Sequence, residues 1–335
     1  MRITISSVYL HIPYCKQACH YCDFHFSTKR NNSPEMLWAM QREIELRQDE
    51  FPKPLASIYF GGGTPSILSA ADIAKLLEGI HRVTGFSDSV EITLEANPDD
   101  LSSKKLRELK AVGINRLSIG VQSFIEKELK MMHRAHDLNE AHQSIKIAHQ
   151  YFENISIDLI YGMPESSLES WAFNLKTALD YRVPHLSAYA LTIEPKTALA
   201  HFVEKELIEL PDEQLVEAQY YLLLKETAQR GLVNYEFSNF GTPGYASKNN
   251  LAYWFGKNYV GIGPAAHSYD GSRRSWNVSN NPQYIKSLKA DKLPSTIEIL
   301  SKIDRFNEFV MTRLRTHVGI DIIELEQLFG NEFKR

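Results

Sequence analysis

The sequence predicts an α/β fold built on a parallel sheet, and three observations carry that expectation. Strand-like runs alternate with amphipathic stretches of helical length, six times in succession. Such βα units imply parallel strands joined by right-handed crossovers, either as a barrel or as a doubly wound sheet. No G-x-G-x-x-G opens a helix after the first strand, so a dinucleotide-binding fold loses support.

The expected strands are Ser7 to Ile12, Ser57 to Phe60, Val90 to Ala96, Arg116 to Val121, Ile155 to Tyr161 and His185 to Leu191. All are rich in Val, Ile, Leu, Tyr or Phe. The expected helices are Met36 to Arg47, Ala70 to Thr84, Ser102 to Ala111, Leu138 to Tyr151 and Leu168 to Tyr181. Charges at helical spacing within Ser103 to Lys110 read as a solvated face. The pattern changes after Leu191. A helical region, Thr197 to Gly231, is interrupted at Pro211. An aromatic, glycine-rich stretch runs from Val233 to Trp276, and a helical tail runs from Pro282 to the end. No internal repeat or low-complexity linker is visible.

The chain has 335 residues, 43% hydrophobic, 23% charged and 11% aromatic, with a net charge of -4. That is the composition of a globular protein, and the slight acidity argues against non-specific nucleic-acid binding. No apolar run is long enough for an integral membrane segment. Met1-Arg2-Ile3-Thr4 leads straight into a strand, so no signal peptide is expected. The ending Gly330–Arg335 lacks a capping segment, as a chain truncated there would.

The chain's three cysteines, Cys15, Cys19 and Cys22, sit in one C-x3-C-x2-C loop. No partner exists elsewhere for a disulfide framework, so a reducing, cytoplasmic setting is expected. Three close thiols suit an iron–sulfur cluster with one iron left open. A structural zinc site completed by His20 or His25, and incidental thiols, are the alternatives.

In a parallel barrel, chemistry sits at the C-terminal ends of the strands. There the sequence places the cysteine loop, Gly61-Gly62-Gly63-Thr64-Pro65, Glu95-Ala96-Asn97-Pro98, Gly120-Val121-Gln122-Ser123, Gly162-Met163-Pro164, and Tyr189-Ala190 followed by Thr192-Ile193-Glu194-Pro195. Gly62 and Gly63 leave room for a ligand near the backbone. Asp158 lies between Ile157 and Leu159; a carboxylate there either pairs with a base or binds a ligand. His133 and His136, flanking Arg134, read as solvated.

The segment Tyr9-Leu10-His11-Ile12-Pro13-Tyr14-Cys15 through Cys19-His20-Tyr21-Cys22-Asp23-Phe24 resembles the radical S-adenosylmethionine (SAM) superfamily. More narrowly, it is similar to the branch that holds oxygen-independent coproporphyrinogen III oxidase and the HemW haem chaperones. Asn115-Arg116-Leu117-Ser118-Ile119-Gly120-Val121-Gln122-Ser123, Ile157-Asp158-Leu159-Ile160-Tyr161-Gly162-Met163-Pro164, Ser187-Ala188-Tyr189-Ala190-Leu191 and Gly261-Ile262-Gly263-Pro264-Ala265-Ala266-His267 extend the resemblance over nearly the whole chain.

The resemblance implies a partial (β/α)6 TIM-like barrel over residues 1–230. A smaller α-rich or mixed C-terminal domain would occupy 231–335. It implies a [4Fe–4S] cluster on Cys15, Cys19 and Cys22, with SAM on the open iron. Tyr9 would lie beside both, and Gly62, Gly63 and Thr64 would hold the methionyl end. Arg134 would face the SAM carboxylate. Glu95, Gln122 and Asp158 would hold its polar groups, the ribose included, while Ala190 and His267 would flank the adenine and sulfonium.

The branch contains an oxidative decarboxylase and a carrier. The decarboxylase has a further cysteine two residues after the third; here that position is Phe24. It also has a substantial segment before its first strand, whereas eight residues precede Tyr9 here. Both differences favour the carrier, which binds haem or a porphyrin and passes haem to client haemoproteins. An electron donor would serve the cluster. The carrier's His-Asn-x-x-Tyr-Trp motif reads Asn249-Asn250-Leu251-Ala252-Tyr253-Trp254. An amide is a poor haem ligand, so another donor is expected, with His267 the candidate. Tyr253 and Trp254 either stack on a porphyrin face or fill the core.

Overall fold

A computed structural model describes residues 6–331. The readings of Met1-Arg2-Ile3-Thr4 and of the last four residues lie outside the described residues. The strands are β1 (Ser7–Ile12), β2 (Ser57–Gly62), β3 (Glu91–Ala96), β4 (Arg116–Gln122), β5 (Asn154–Tyr161), β6 (His185–Ala190), β7 (Val233–Glu236), β8 (Asn239–Gly241), β9 (Tyr259–Ile262), β10 (His267–Tyr269), β11 (Arg273–Asn277) and β12 (Ser295–Ile299). They form one sheet in the order β12-β11-β10-β9-β1-β2-β3-β4-β5-β6-β8-β7.

The strands β1 to β6 pair in sequence order and all in parallel. Helices connect them, each buried along one stripe. Ile73, Leu76, Leu77 and Ile80 of Ala70–Thr84 are buried, as are Leu106 and Leu109 of Ser103–Ala111. Ser69 caps the first of these by accepting from the Asp72 N–H, and Gly85 ends it at a positive φ of 63°. The sheet is open, so this is a partial barrel and not a closed one.

Alternation along the strands decides what faces where. Leu10, Ile58, Phe60, Leu94, Leu117, Ile119, Ile157, Leu159 and Leu186 are fully buried in the apolar core with the helices. Each such side chain contributes roughly 1.5–3 kcal/mol by leaving water. The intervening residues are polar: Tyr59, Glu95, Arg116, Ser118, Asp158, Ser187 and Tyr189 line a cavity on the opposite face.

The segment after residue 230 extends both edges of this sheet. The strand β9 lies parallel to β1, and β8 lies antiparallel to β6. The β9 side is anchored by a buried ionic cluster. Glu43 accepts from Arg47 Nη1 at 2.9 Å, Asn277 Nδ2 at 2.7 Å, Gly263 N–H at 2.9 Å and the Tyr284 hydroxyl at 2.5 Å. Arg47 also donates to the Gly261 carbonyl at 2.8 Å and to Ser268 Oγ at 2.9 Å. Buried charges persist when paired and hydrogen-bonded in this way.

The sequence expects one helical tail from Pro282. Instead, helices Asn281–Lys289, Lys302–Leu314 and Ile322–Phe329 flank the strand β12. That strand exists through antiparallel pairing to β11, with Arg274 opposite Glu298. A non-local partner makes it, which local periodicity does not register. No helix among the described residues is long and apolar enough to cross a membrane.

Candidate functional site

The cysteine loop leaves the end of β1 and is pinned at its base and its tip. The Cys15 N–H donates to the Ser27 carbonyl at 3.1 Å, and the Ser27 N–H to Pro13 O at 2.9 Å. The His20 N–H donates to Met132 O at 3.1 Å, and His133 Nδ1 lies 2.8 Å from Ala18 O. Lys16 pairs with Asp99 at 2.6 Å and with Asp100. All three cysteines are partly exposed and line one cavity of about 450 Å3 over the strand ends.

The glycine turn after β2 must come this close. A Cβ on Gly63 would stand 2.6 Å from Tyr14 O, and one on Gly62, at φ 105°, would strike the His11 ring at 2.6 Å. Thr64 then aims its hydroxyl at Cys15 Sγ, 3.4 Å away.

Glu95 accepts from the Tyr59 hydroxyl at 2.8 Å and from Gly62 N–H at 3.2 Å. Burial pushes its carboxyl up to about 7, while these two donors oppose the rise. Among the described residues Asp158 has no ion-pair partner within 4 Å; it accepts from Ser118 at 3.0 and 3.1 Å and from Ser156 at 3.3 Å. Burial raises its pKa too, and the nearby serines and Arg116 counter this. Gln122 ends β4 at φ 70°, beside a bulge between Gly120 and Gln122. A non-glycine residue held there marks a strained turn that re-aims its side chain toward the cavity.

Arg134 spans the site. Its Nη2 donates to Asn97 Oδ1 at 2.8 Å and to Gly120 O at 2.7 Å; its Nη1 reaches Tyr21 Oη at 3.2 Å and Cys19 Sγ at 3.4 Å. The flanking histidines differ from each other. His133 is exposed, as expected. His136 is not solvated: it is 3% exposed and 3.1 Å from the Val121 carbonyl, with burial lowering its pKa to about 4.

The cavity wall thus brings together Cys15, Cys19, Cys22, Gly62, Gly63, Thr64, Glu95, Gln122, Arg134, Asp158, Ala190 and Asn250. Tyr9 lies behind it, 6.1 Å from Tyr59 ring to ring, with its hydroxyl 3.2 Å from His11 Nδ1. His267 is exposed on β10, its ring 6.0 Å from Trp276, outside the wall. Asn249 is 7% exposed with its Oδ1 unpartnered. Tyr253 stacks on Tyr259 at 4.4 Å, and Arg315 lies 4.8 Å over Trp254.

Residues 9–176 match the radical SAM superfamily. The chain is 36% identical over 332 residues to "Heme chaperone HemW" of Bacillus subtilis (strain 168), covering 97% of this chain and 87% of that protein. It is 34% identical to the protein of the same name from Lactococcus lactis, covering 98% and 86%. The chain belongs to the HemW family of radical SAM proteins. The structure of coproporphyrinogen III oxidase (HemN) from Escherichia coli, a radical SAM enzyme, is also similar. Its TM-score is 0.82 at 25% identity, covering 97% of this chain and 79% of that one.

Membership in the radical SAM superfamily implies a [4Fe–4S] cluster and SAM, and the residues present fit both. No three His, Cys, Asp or Glu side chains among the described residues converge as a single-ion site, yet the three thiols share one cavity. Three thiols opening into one cavity supply the three sulfur ligands that a cluster with one open iron takes. His20 Nδ1 lies 2.8 Å from Met131 O and His25 Nε2 lies 2.7 Å from Asn281 Oδ1. Donors from Thr64 and Arg134 aim at sulfur, as second-shell groups around thiolates do. Phe24, 65% exposed at the cavity mouth, stands where the decarboxylase has its further cysteine.

Sequence reasoning missed Tyr59, Arg116, Ser118 and Ser187 in this wall. The signal was period-two polarity within the strands, as in Arg116-x-Ser118-x-Gly120 and His185-x-Ser187-x-Tyr189.

Proposed function

We propose that this chain is a haem chaperone, a radical SAM-fold protein that binds haem and transfers it to client haemoproteins in a reducing cytoplasm. Near full-length similarity to HemW haem chaperones carries this reading, and Phe24 in place of a fourth cysteine supports it. When bound, the cluster and SAM supply one-electron chemistry, fed by an electron donor.

The chain's own residues do the holding. Cys15, Cys19 and Cys22 bind the cluster. Arg134 and Thr64 donate to two of the sulfurs, and Arg134 is the cation for the SAM carboxylate. Gly62 and Gly63 admit the methionyl end. Glu95, Gln122 and Asp158 hold the polar groups and favour the sulfonium charge, with Ala190 beside the adenine and Tyr9 behind. Asn249 is buried and is not a haem ligand. His267 is the imidazole donor for haem iron, because one side of its ring reaches the surface, while the partial burial of the rest, with Arg274 nearby, lowers its pKa and leaves it neutral. This moves His267 from the SAM pocket, where the resemblance puts it, to the haem side.

The test is anaerobic reconstitution, then haem titration by the Soret band, beside incubation with SAM, reductant and coproporphyrinogen III. Haem binding without protoporphyrinogen formation supports the carrier. Protoporphyrinogen formation establishes oxygen-independent coproporphyrinogen III oxidase activity instead.

A further inference from the structure

A buried chain of hydrogen bonds runs from the segment after residue 230 to Asp158. The Ser247 N–H donates to Tyr235 Oη at 3.3 Å. Tyr235 Oη lies 2.8 Å from His185 Nε2, and His185 Nδ1 lies 2.7 Å from Ser156 Oγ. Ser156 donates to Asp158 Oδ1 at 3.3 Å. Tyr235 is 4% exposed, and His185 and Ser156 are fully buried.

One proton order for this chain delivers a donor to an ionised Asp158. Ser156 Oγ also lies 3.2 Å from Ser187 Oγ; in the order that serves Asp158, the Ser156 proton points at the carboxylate, which only accepts. Ser156 Oγ then accepts from His185 Nδ1–H. Neutral imidazole carries one proton, so Nε2 accepts from the Tyr235 hydroxyl, which is free because Ser247 supplies its own donor. Every arrow runs toward Asp158. Ser247 also caps the helix Lys248–Trp254, accepting from the Asn250 N–H at 3.3 Å. That helix carries Asn250, a cavity-wall residue.

We propose that His185 is a positioning residue for Asp158, holding this SAM-facing carboxylate ionised and aimed while tying it to the helix Lys248–Trp254 through Tyr235. The proposal rests on the assignment of Asp158 to SAM. Arg116 and Ser118 on β4, Glu95 on β3, Tyr59 on β2 and Ser187 and Tyr189 on β6 also face Asp158. Arg116 and Tyr235 face His185, and burial beside Arg116 keeps its imidazole neutral.

The experiment has two readouts. The first is the 15N-histidine NMR spectrum of the protein without SAM, in which His185 should show the Nδ1–H tautomer. The second is SAM affinity by equilibrium dialysis across about pH 6–9 in reconstituted His185→Phe, Ser156→Ala and His185→Asn, with cluster content as the control. Ser156→Ala cuts the chain by removing a single oxygen. His185→Phe and Ser156→Ala should weaken SAM binding about tenfold near neutral pH and shift its acid limb to higher pH. His185→Asn, with an amide N–H in place of Nδ1–H, should restore the pH profile. An Nε2–H tautomer overturns the proposal, as does an equal loss at every pH in all variants. Unchanged SAM affinity in Asp158→Asn overturns the assignment beneath it, and the tautomer, read without SAM, tells the two failures apart.

Discussion

The Tyr59 hydroxyl donates a hydrogen bond to Glu95 Oε1 at 2.8 Å, and this contact joins the second and third strands beneath the glycine turn. Glu95 is held with its carboxyl raised from 4.5 to about 7 by burial. A raised carboxyl favours folding where it is protonated. Its contribution is fully present below about 4.5 and lost as pH rises through about 7. The cofactor-free protein should therefore lose thermal stability between these values, and Glu95→Gln should flatten that slope. SAM affinity should move the opposite way, rising with pH through about 7 in the native protein and losing that rise in Glu95→Gln. Melting curves and SAM titrations over this range check both signs.

The glycine turn is sterically closed. Gly63→Ala places a Cβ 2.6 Å from Tyr14 O, a backbone atom that cannot swing aside. Cluster incorporation should fall, and stability should drop by roughly 1–3 kcal/mol. Iron content after reconstitution and a denaturant curve measure the two effects.

Cys19→Ser should abolish stable cluster binding, because two thiolates leave two irons without protein ligands. Full iron and sulfide content in that variant would contradict the cluster assignment. The brown colour and iron count of anaerobically prepared protein give the answer directly.

Glu43 ties the β9 edge to the barrel through Arg47, Asn277, Tyr284 and Gly263. Glu43→Ala removes the buried acceptor that Arg47, Asn277, Tyr284 and Gly263 share, and breaking a buried pair of this kind costs about 3–5 kcal/mol. Chemical denaturation should show that loss, while the smaller change Glu50→Ala, at the half-exposed partner of Arg47, should show much less.

The parallel strands were legible because each is a short apolar run bounded by turn residues. The expected β1, Ser7 to Ile12, matches the observed one, and the others differ by a residue or two at their ends. Asp158 stood out because a carboxylate interrupts Ile157 and Leu159. Arg116, Ser118 and His185 did not, since inward polarity is also what an exposed sheet face would show. The roles of Tyr235 and Asn250 depend on a fold-back to the barrel, and no local pattern encodes it. His136 misled because a polar ring beside an arginine looks solvated, whereas the Val121 carbonyl gives it a buried partner.

Haem transfer tests the central claim most directly. The reconstituted protein, loaded with haem, is mixed with an apo-haemoprotein and the Soret band is followed. The band should move to that of the holo-client at a rate above that of free haem, with His267→Ala failing to load. Loading that is absent, or haem that stays bound while coproporphyrinogen III is decarboxylated, would contradict it.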